Sequence, residues 1–236
     1  MQVLPAQPNQ SLLEGLEVLL AVARASEPVR VRALARKMGL TATRMQRYLA
    51  TLAHQGLLMQ HPDRRYGVGP GIHALSAISL SASGLANRAM EVLPALSGAG
   101  RVVALGVLWR ETVSYLYFNV PGRAVARSLG READYPARNS VIGRVLLAHA
   151  SPERIAADFP GEEADLHPLL DEVRQCGYAR IDREGGEMGL AVAVGSPPIA
   201  GLALSGCFCE SEIKGLLSRL REAAEALMAP NLEKHA

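Results

Sequence analysis

The chain has 236 residues, 49% hydrophobic and 20% charged, with a net charge of +2 at pH 7. This length suits two domains or one large one with a sizeable buried core, and the composition is globular rather than fibrous or disordered. No apolar run approaches the roughly 18–20 residues of a membrane span, and three cysteines, Cys176, Cys207 and Cys209, are too sparse for a disulfide framework, which points to reduced thiols in a cytosol.

The first ten residues, MQVLPAQPNQ, have neither the basic start nor the apolar stretch of a secretory leader. With two prolines and three amides, residues 1–9 read as a disordered tail. Residues 11–25, SLLEGLEVLLAVARA, then form an amphipathic helix, opened by a Ser11–Glu14 capping box. Its apolar side is Leu12, Leu13, Leu16, Leu19, Leu20 and Ala23, a stripe wide enough to pack on neighbouring helices and in part on a second subunit.

Residues 31–55, VRALARKMGLTATRMQRYLATLAHQ, read as two short helices around a glycine turn. Val31, Leu34, Ala35 and Met38 mark the buried side of the first. Gly39 suits the left-handed residue that closes a helix, and Thr41 suits an N-cap. In the second helix Met45, Leu49 and Leu52 share a face, with Tyr48 beside them. Thr43, Arg47, Ala50 and His54 lie opposite, flanked by Arg44 and Gln46. This is the pattern of a helix-turn-helix whose second helix enters the DNA major groove, where Arg and Gln match guanine and adenine edges. An ordinary helical hairpin with a solvated basic face shares that spacing, and the next segment shifts the balance. Leu57–Gln60 and Arg65–Val68 read as two short strands around a polar turn. Such a hairpin directly after a recognition helix is a wing, with Arg64 and Arg65 placed to meet phosphate or the minor groove. The expected DNA-contacting set is Thr41, Thr43, Arg44, Gln46, Arg47, Arg64 and Arg65, within a domain over residues 10–69. Charge agrees: residues 1–70 carry nine Lys or Arg and four acids, +5, while the other 166 carry 16 and 19, −3.

Residues 70–85, rich in small side chains, predict a linker helix, with Gly84 as a break before a second domain over 86–236. There Val102–Trp109 is a near-continuous apolar run, so a buried strand, and Thr112–Val120 a second strand after a tight turn. Val125–Arg127 predicts a short third. A helix opens near Ser140 with Val141, Val145 and Leu146 inward, followed by helices over Pro152–Asp158 and Asp165–Gln175, the latter capped by Gly177. Ala179–Asp182, Leu190–Gly195 and Ile199–Gly206 predict strands, and Glu210–Met228 a long closing helix. Strands grouped as hairpins with helices between them indicate an antiparallel α+β domain rather than a doubly wound sheet.

The chain resembles the IclR family of bacterial transcriptional regulators. The resemblance is carried, in order, by SLLEGLEVLLAVARASEPVRVRALARKMGLTATRMQRYLATLAHQGLL, RRYGVGPGIHALS, PARNSVIGRVLLAHASPERI, CGYARID and GLAVAVGSPPIAGLALSG, across residues 11 to about 228. It implies a winged helix-turn-helix, a linker helix, a GAF-like antiparallel sheet with flanking helices that binds a small effector, and dimers that pair into tetramers. Position by position, the family's effector pocket corresponds here to Val125, Asn139, Ser140, Val141, Ile142, Asp182, Leu190, Val192, Ala203 and Ser205. The family's frequent Cys is Val192 in this chain, its Ser is Ala203 and its pocket-helix His is Arg138, so the pocket should be more apolar or lean on Arg138, Ser140 and Ser205. The run between Gly130 and Pro136 is longer than in the family and adds Arg131, Glu132 and Asp134.

The function expected is therefore a cytoplasmic regulator that binds double-stranded operator DNA as a homodimer or homotetramer. Its effector would be a small organic acid or aromatic metabolite, with no cofactor, metal or membrane partner. Two alternatives stand beside it. One is an enzyme acting on a small metabolite with a fused helix-turn-helix, although GxSxG, HExxH, CxxC, GxGxxG and Walker-type loops are all missing. The other is an interaction module that has lost DNA binding, against which Arg44 and Arg47 speak. Cys207-x-Cys209 lacks the two-residue gap of a zinc knuckle.

Overall fold

The computed structural model describes residues 7–97, 100–119 and 135–229, which divide into two compact units, one ending at Ala82 and the other beginning at Ser83. The expected third strand at Val125–Arg127 lies outside the described residues, as does Val125 of the expected pocket.

The first unit opens with α1 (Gln10–Ala23). The expected Ser11–Glu14 box does not form: Asn9 is the N-cap, its side chain accepting from the Leu12 N–H at 3.1 Å. That releases the Glu14 carboxylate to reach another helix. The buried side of α1 also differs from the expected stripe. Val18 and Val22 carry the packing, while Leu12, Leu13 and Leu16 are exposed. Helix α2 (Val31–Lys37) ends at Met38, and Gly39 takes φ of +66°. The Leu40 N–H then donates to the Ala35 carbonyl at 2.9 Å, which closes the helix and turns the chain. Thr41 caps α3 (Ala42–His54), its hydroxyl accepting from the Arg44 N–H at 3.3 Å. Strands β1 (Leu58–Gln60) and β2 (Tyr66–Val68) pair antiparallel with Leu58 opposite Val68, forming the wing hairpin. Val18, Val22, Leu34, Ala35, Met45, Leu49, Leu58 and Tyr66 make one small core under all three helices and the hairpin. Helix α4 (Pro70–Ser83) follows and buries none of its residues.

The second unit begins with α5 (Leu85–Val92), separated from α4 by Gly84 at φ of +61°. Its centre is one six-stranded antiparallel sheet in the order β5-β4-β3-β8-β7-β6. The strands are β3 (Val102–Trp109), β4 (Thr112–Asn119), β5 (Tyr135–Pro136), β6 (Ala179–Asp182), β7 (Glu187–Val194) and β8 (Ala200–Cys207). The two hairpins β3–β4 and β7–β8 are joined where β3 pairs with β8, Ala104 facing Ala203. Helices α6 (Val141–Leu147), α7 (Pro152–Asp158) and α8 (Glu163–Cys176) cover one face, and α5 and α9 (Glu210–Met228) cover the other. The expected antiparallel sheet with flanking helices is thus present, with β5 as a short addition the pattern did not show.

Two apolar clusters result. Leu190, Val192, Leu202 and Leu204 meet α5 and α9, whereas Ala104, Ala191 and Ala203 meet α6. The small residues let α6 lie close on the sheet, and Gly143 lets it lie close to its own leader: a Cβ there would sit 2.0 Å from the Ala137 carbonyl oxygen.

Candidate functional site

Capping and a two-residue turn aim α3 outward. Met45 and Leu49 are buried, so the helix periodicity leaves Thr43, Arg44, Gln46, Arg47, Ala50 and Thr51 exposed. Thr41, Thr43 and Arg47 are exposed, and the Thr41 hydroxyl caps the helix; among the described residues Arg47 has no ion-pair or hydrogen-bond partner for its guanidinium.

Arg44 and Gln46, expected as free base readers, are held within the molecule. The Arg44 Nη2 donates to Glu14 Oε1 at 2.9 Å and its Nε to the Tyr48 hydroxyl at 3.2 Å, while that hydroxyl donates to Glu14 Oε2 at 2.9 Å. The guanidinium carbon lies 6.0 Å from the Tyr48 ring centre. The Tyr48 bond, with the Glu14 charge behind it, raises the Arg44 pKa above the ordinary arginine value. The Gln46 amide donates to the Tyr66 hydroxyl at 3.0 Å and ties α3 to the wing.

At the wing tip Arg64 takes φ of +62°, its N–H donating to the His61 carbonyl at 2.9 Å. A non-glycine residue in the left-handed region is uncommon. Here it projects an arginine with no partner among the described residues. Arg65 instead pairs with Asp63. The same contact, led by the bond from the Arg65 N–H, holds the Asp63 carboxyl below its ordinary range. Free positive charge in this set therefore rests on Arg47 and Arg64.

The second unit encloses a cavity of about 120 Å³ between the sheet and the start of α6. Of the eleven expected effector residues, Ser140, Val141, Ile142, Ala203 and Ser205 line it. Val102, Ala104, Tyr115, Phe118, Arg183 and Glu187 also line it and were not anticipated. Ser140 is 2% exposed, and its hydroxyl lies 3.5 Å from that of Tyr115.

Leu190 and Val192 are not at the cavity. Residues directly opposite in an antiparallel pair share a face, and Gly189 faces Ser205 while Ala191 faces Ala203. Leu190 and Val192 therefore point to the α5–α9 face, one residue out of register with the cavity. Three further residues are engaged elsewhere. Asp182 is exposed and accepts from Arg180 Nε at 3.0 Å. Arg138 pairs with Glu162, and Asn139 is exposed and outside the cavity wall.

Tyr115 and Phe118 lie three apart, which on a regular strand would put them on opposite faces. A register shift between Leu105 and Gly106 pairs Tyr117 with Leu105 and Tyr115 with Gly106. The extra residue in β4 brings both rings to the cavity, 5.3 Å apart and edge to face. An aromatic-rich strand was visible in the chain, but nothing in its spacing announced the bulge.

Residues 11–62 match the family model described as the IclR helix-turn-helix domain. No curated protein matches the chain in sequence. Among solved structures, an IclR family transcriptional regulator from Brucella abortus is 22% identical, with TM-score 0.75 over 98% of this chain and 97% of that one. An IclR transcriptional regulator from Alicyclobacillus acidocaldarius is 21% identical, with TM-score 0.68 over 94% and 98%. An IclR homologue from Microbacterium hydrocarbonoxydans, complexed with 4-hydroxybenzoate, is 22% identical, with TM-score 0.64 over 92% and 97%. Residues 11–62 thus form an IclR helix-turn-helix domain for binding DNA, and the chain carries the fold of IclR transcriptional regulators over more than nine-tenths of its length.

Proposed function

We propose that this protein is a cytoplasmic transcriptional regulator, active as a homodimer or homotetramer. It binds operator DNA through α3 and the wing, and a small molecule in the second unit sets its affinity. The observation that carries the reading is the outward face of α3, where Thr41, Thr43 and the unpartnered Arg47 share a surface next to a wing ending in Arg64. Arg47 contacts base edges, with Arg44 and Gln46 presenting the donors their internal bonds leave open. Arg64 and Arg65 contact phosphate. Two copies place their α3 helices about one helical turn apart, or a multiple of it, on a partly palindromic site.

The effector reading rests on Ser140, Ser205, Tyr115 and Arg183 converging, with Glu187 beside them, on a cavity walled by Val102, Ala104, Phe118, Val141, Ile142 and Ala203, which suits a small organic acid or aromatic metabolite. The structural likeness to the 4-hydroxybenzoate complex supports that class. A molecule that prefers one arrangement of the protein shifts the fraction able to span both half-sites. No helix among the described residues is long and apolar enough to cross a membrane.

The test is selection of duplexes from a randomised pool, followed by binding measurements at two salt concentrations. Enrichment of a palindromic sequence, bound more tightly than mixed DNA and weakened steeply by salt, is the expected result. Equal affinity for all duplexes overturns the reading of α3. Native mass spectrometry of the purified protein, with 4-hydroxybenzoate as probe, tests the cavity.

A further inference from the structure

One acid in the DNA-binding unit is placed where acids are costly. Glu14 lies on α1, yet its carboxylate accepts from Arg44 Nη2 at 2.9 Å, from the Tyr48 hydroxyl at 2.9 Å and from the Gln10 amide at 3.2 Å. Its side chain is 18% exposed, against 46% for Arg44. With the Arg44 Nε–Tyr48 bond these groups close a ring of charge-assisted hydrogen bonds at the flank of α3. An arginine has five N–H donors on a planar fork, and pairs of them grip guanine or phosphate. The ring uses the Nε–Nη2 edge of Arg44 and leaves Nη1 without a partner among the described residues. It also sets a negative charge against one of the few cations on the outward side of α3.

We propose that Glu14 is a specificity-determining residue. By holding Arg44 in the Glu14–Arg44–Tyr48 ring, it removes one cation from sequence-independent phosphate binding and leaves base reading to Arg47 and the open end of Arg44. The proposal rests on the reading of α3 as the DNA-contacting helix. A neutralised arginine adds little to counterion release, so it does not strengthen binding to arbitrary DNA, and a fixed one contacts only a base that meets its single free end.

The test uses the full chain and a mixed-sequence duplex of roughly 30 bp, long enough for two half-sites. Dissociation constants are followed by fluorescence anisotropy between about 50 and 200 mM NaCl for wild type, Glu14→Gln, Arg44→Gln and the double variant. Glu14→Gln should steepen the salt slope by about 0.9, the contribution of one added phosphate contact, and bind mixed DNA several-fold more tightly at low salt. Arg44→Gln alone should leave the slope nearly unchanged, whereas in the Glu14→Gln background it should return the slope to wild type. Selection from a randomised duplex pool should yield a weaker sequence preference for Glu14→Gln. A purely structural Glu14 would not produce a slope that depends on Arg44 in this way. Unchanged slope and selectivity in a folded Glu14→Gln protein overturn the proposal. So does a slope that falls by about 0.9 in Arg44→Gln alone, a result that holds even if Glu14→Gln does not fold. Loss of salt-dependent duplex binding by wild type would instead remove the DNA-binding reading on which the proposal stands.

Discussion

The two units use opposite designs. The first places its candidate contact residues on the outside of a thin core and lets internal bonds decide which of them are available. The second places its candidate residues between a sheet and a helix, where the pleat and a bulge decide which side chains reach the cavity. The contrast teaches that a polar face can be counted from helix periodicity, whereas a lined cavity depends on strand register.

The largest expected effect tests the difference in core size. Leu49 and Leu190 are both fully buried, and replacing either with alanine should cost about 2–5 kcal/mol. The first unit packs eight buried hydrophobic residues in one cluster among the described residues, so Leu49→Ala should unfold it. The second unit packs two larger clusters, and Leu190→Ala should leave it folded with a lower urea midpoint. Urea melts read by circular dichroism, with limited proteolysis to identify the unit that opens, decide this; equal survival of both units would break the comparison.

Next comes the face of the sheet. Ala203→Leu should fill the cavity and abolish the thermal shift given by whichever small acid stabilises wild type. Leu190→Ala should keep that shift despite its lower stability, because Leu190 faces α9. The opposite pattern would mean that the ligand lies on the other face.

Within the first unit, Arg47→Ala should cost about 1–3 kcal/mol on a selected duplex and relax its sequence preference. Arg64→Ala should weaken all duplexes alike and reduce the salt slope by about 1. If Arg64 proves to govern sequence preference, the division between helix and wing must be redrawn.

The smallest effect is electrostatic. Arg180 donates to Glu210 at 3.0 Å and holds its carboxyl below the ordinary value of 4.5. A carboxyl depressed in the folded state contributes stability above its unfolded value, and that contribution is lost as pH falls through the folded value. Both side chains are at the surface, so the contribution is small. Glu210→Gln should flatten the slight fall in stability on acidification below about pH 4.5. Urea midpoints measured across that range check it.

Most helices of both units were legible because their apolar spacing and caps are local. Thr41, Gly39 and Gly177 act on the residues beside them. Apart from the N-terminal cap of α1, the misreadings involve partners far along the chain. Asn9 replaced Ser11 as the cap, and Glu14 turned to Arg44, thirty residues on. Leu12 and Leu16 fit a helical stripe as well as Val18 and Val22 do, and only the positions of the other helices and the wing decide which pair is covered. Leu190 and Val192 differ from Ala191 by one step in the pleat, and a near-continuous apolar strand gives no alternation to tell one face from the other.

By itself the sequence determined the turn between two short helices, the arginine-bearing flank of the second, the wing, and an antiparallel sheet wrapped in helices, since periodicity, capping and hairpin turns act over a few residues. Tertiary structure alone decided that Arg44 and Gln46 are held while Arg47 and Arg64 have no side-chain partner among the described residues, and that Tyr115, Phe118 and Ala203 line the cavity while Leu190 does not. These outcomes depend on which distant groups meet and on strand register, and a one-residue shift in register reverses which face a side chain joins.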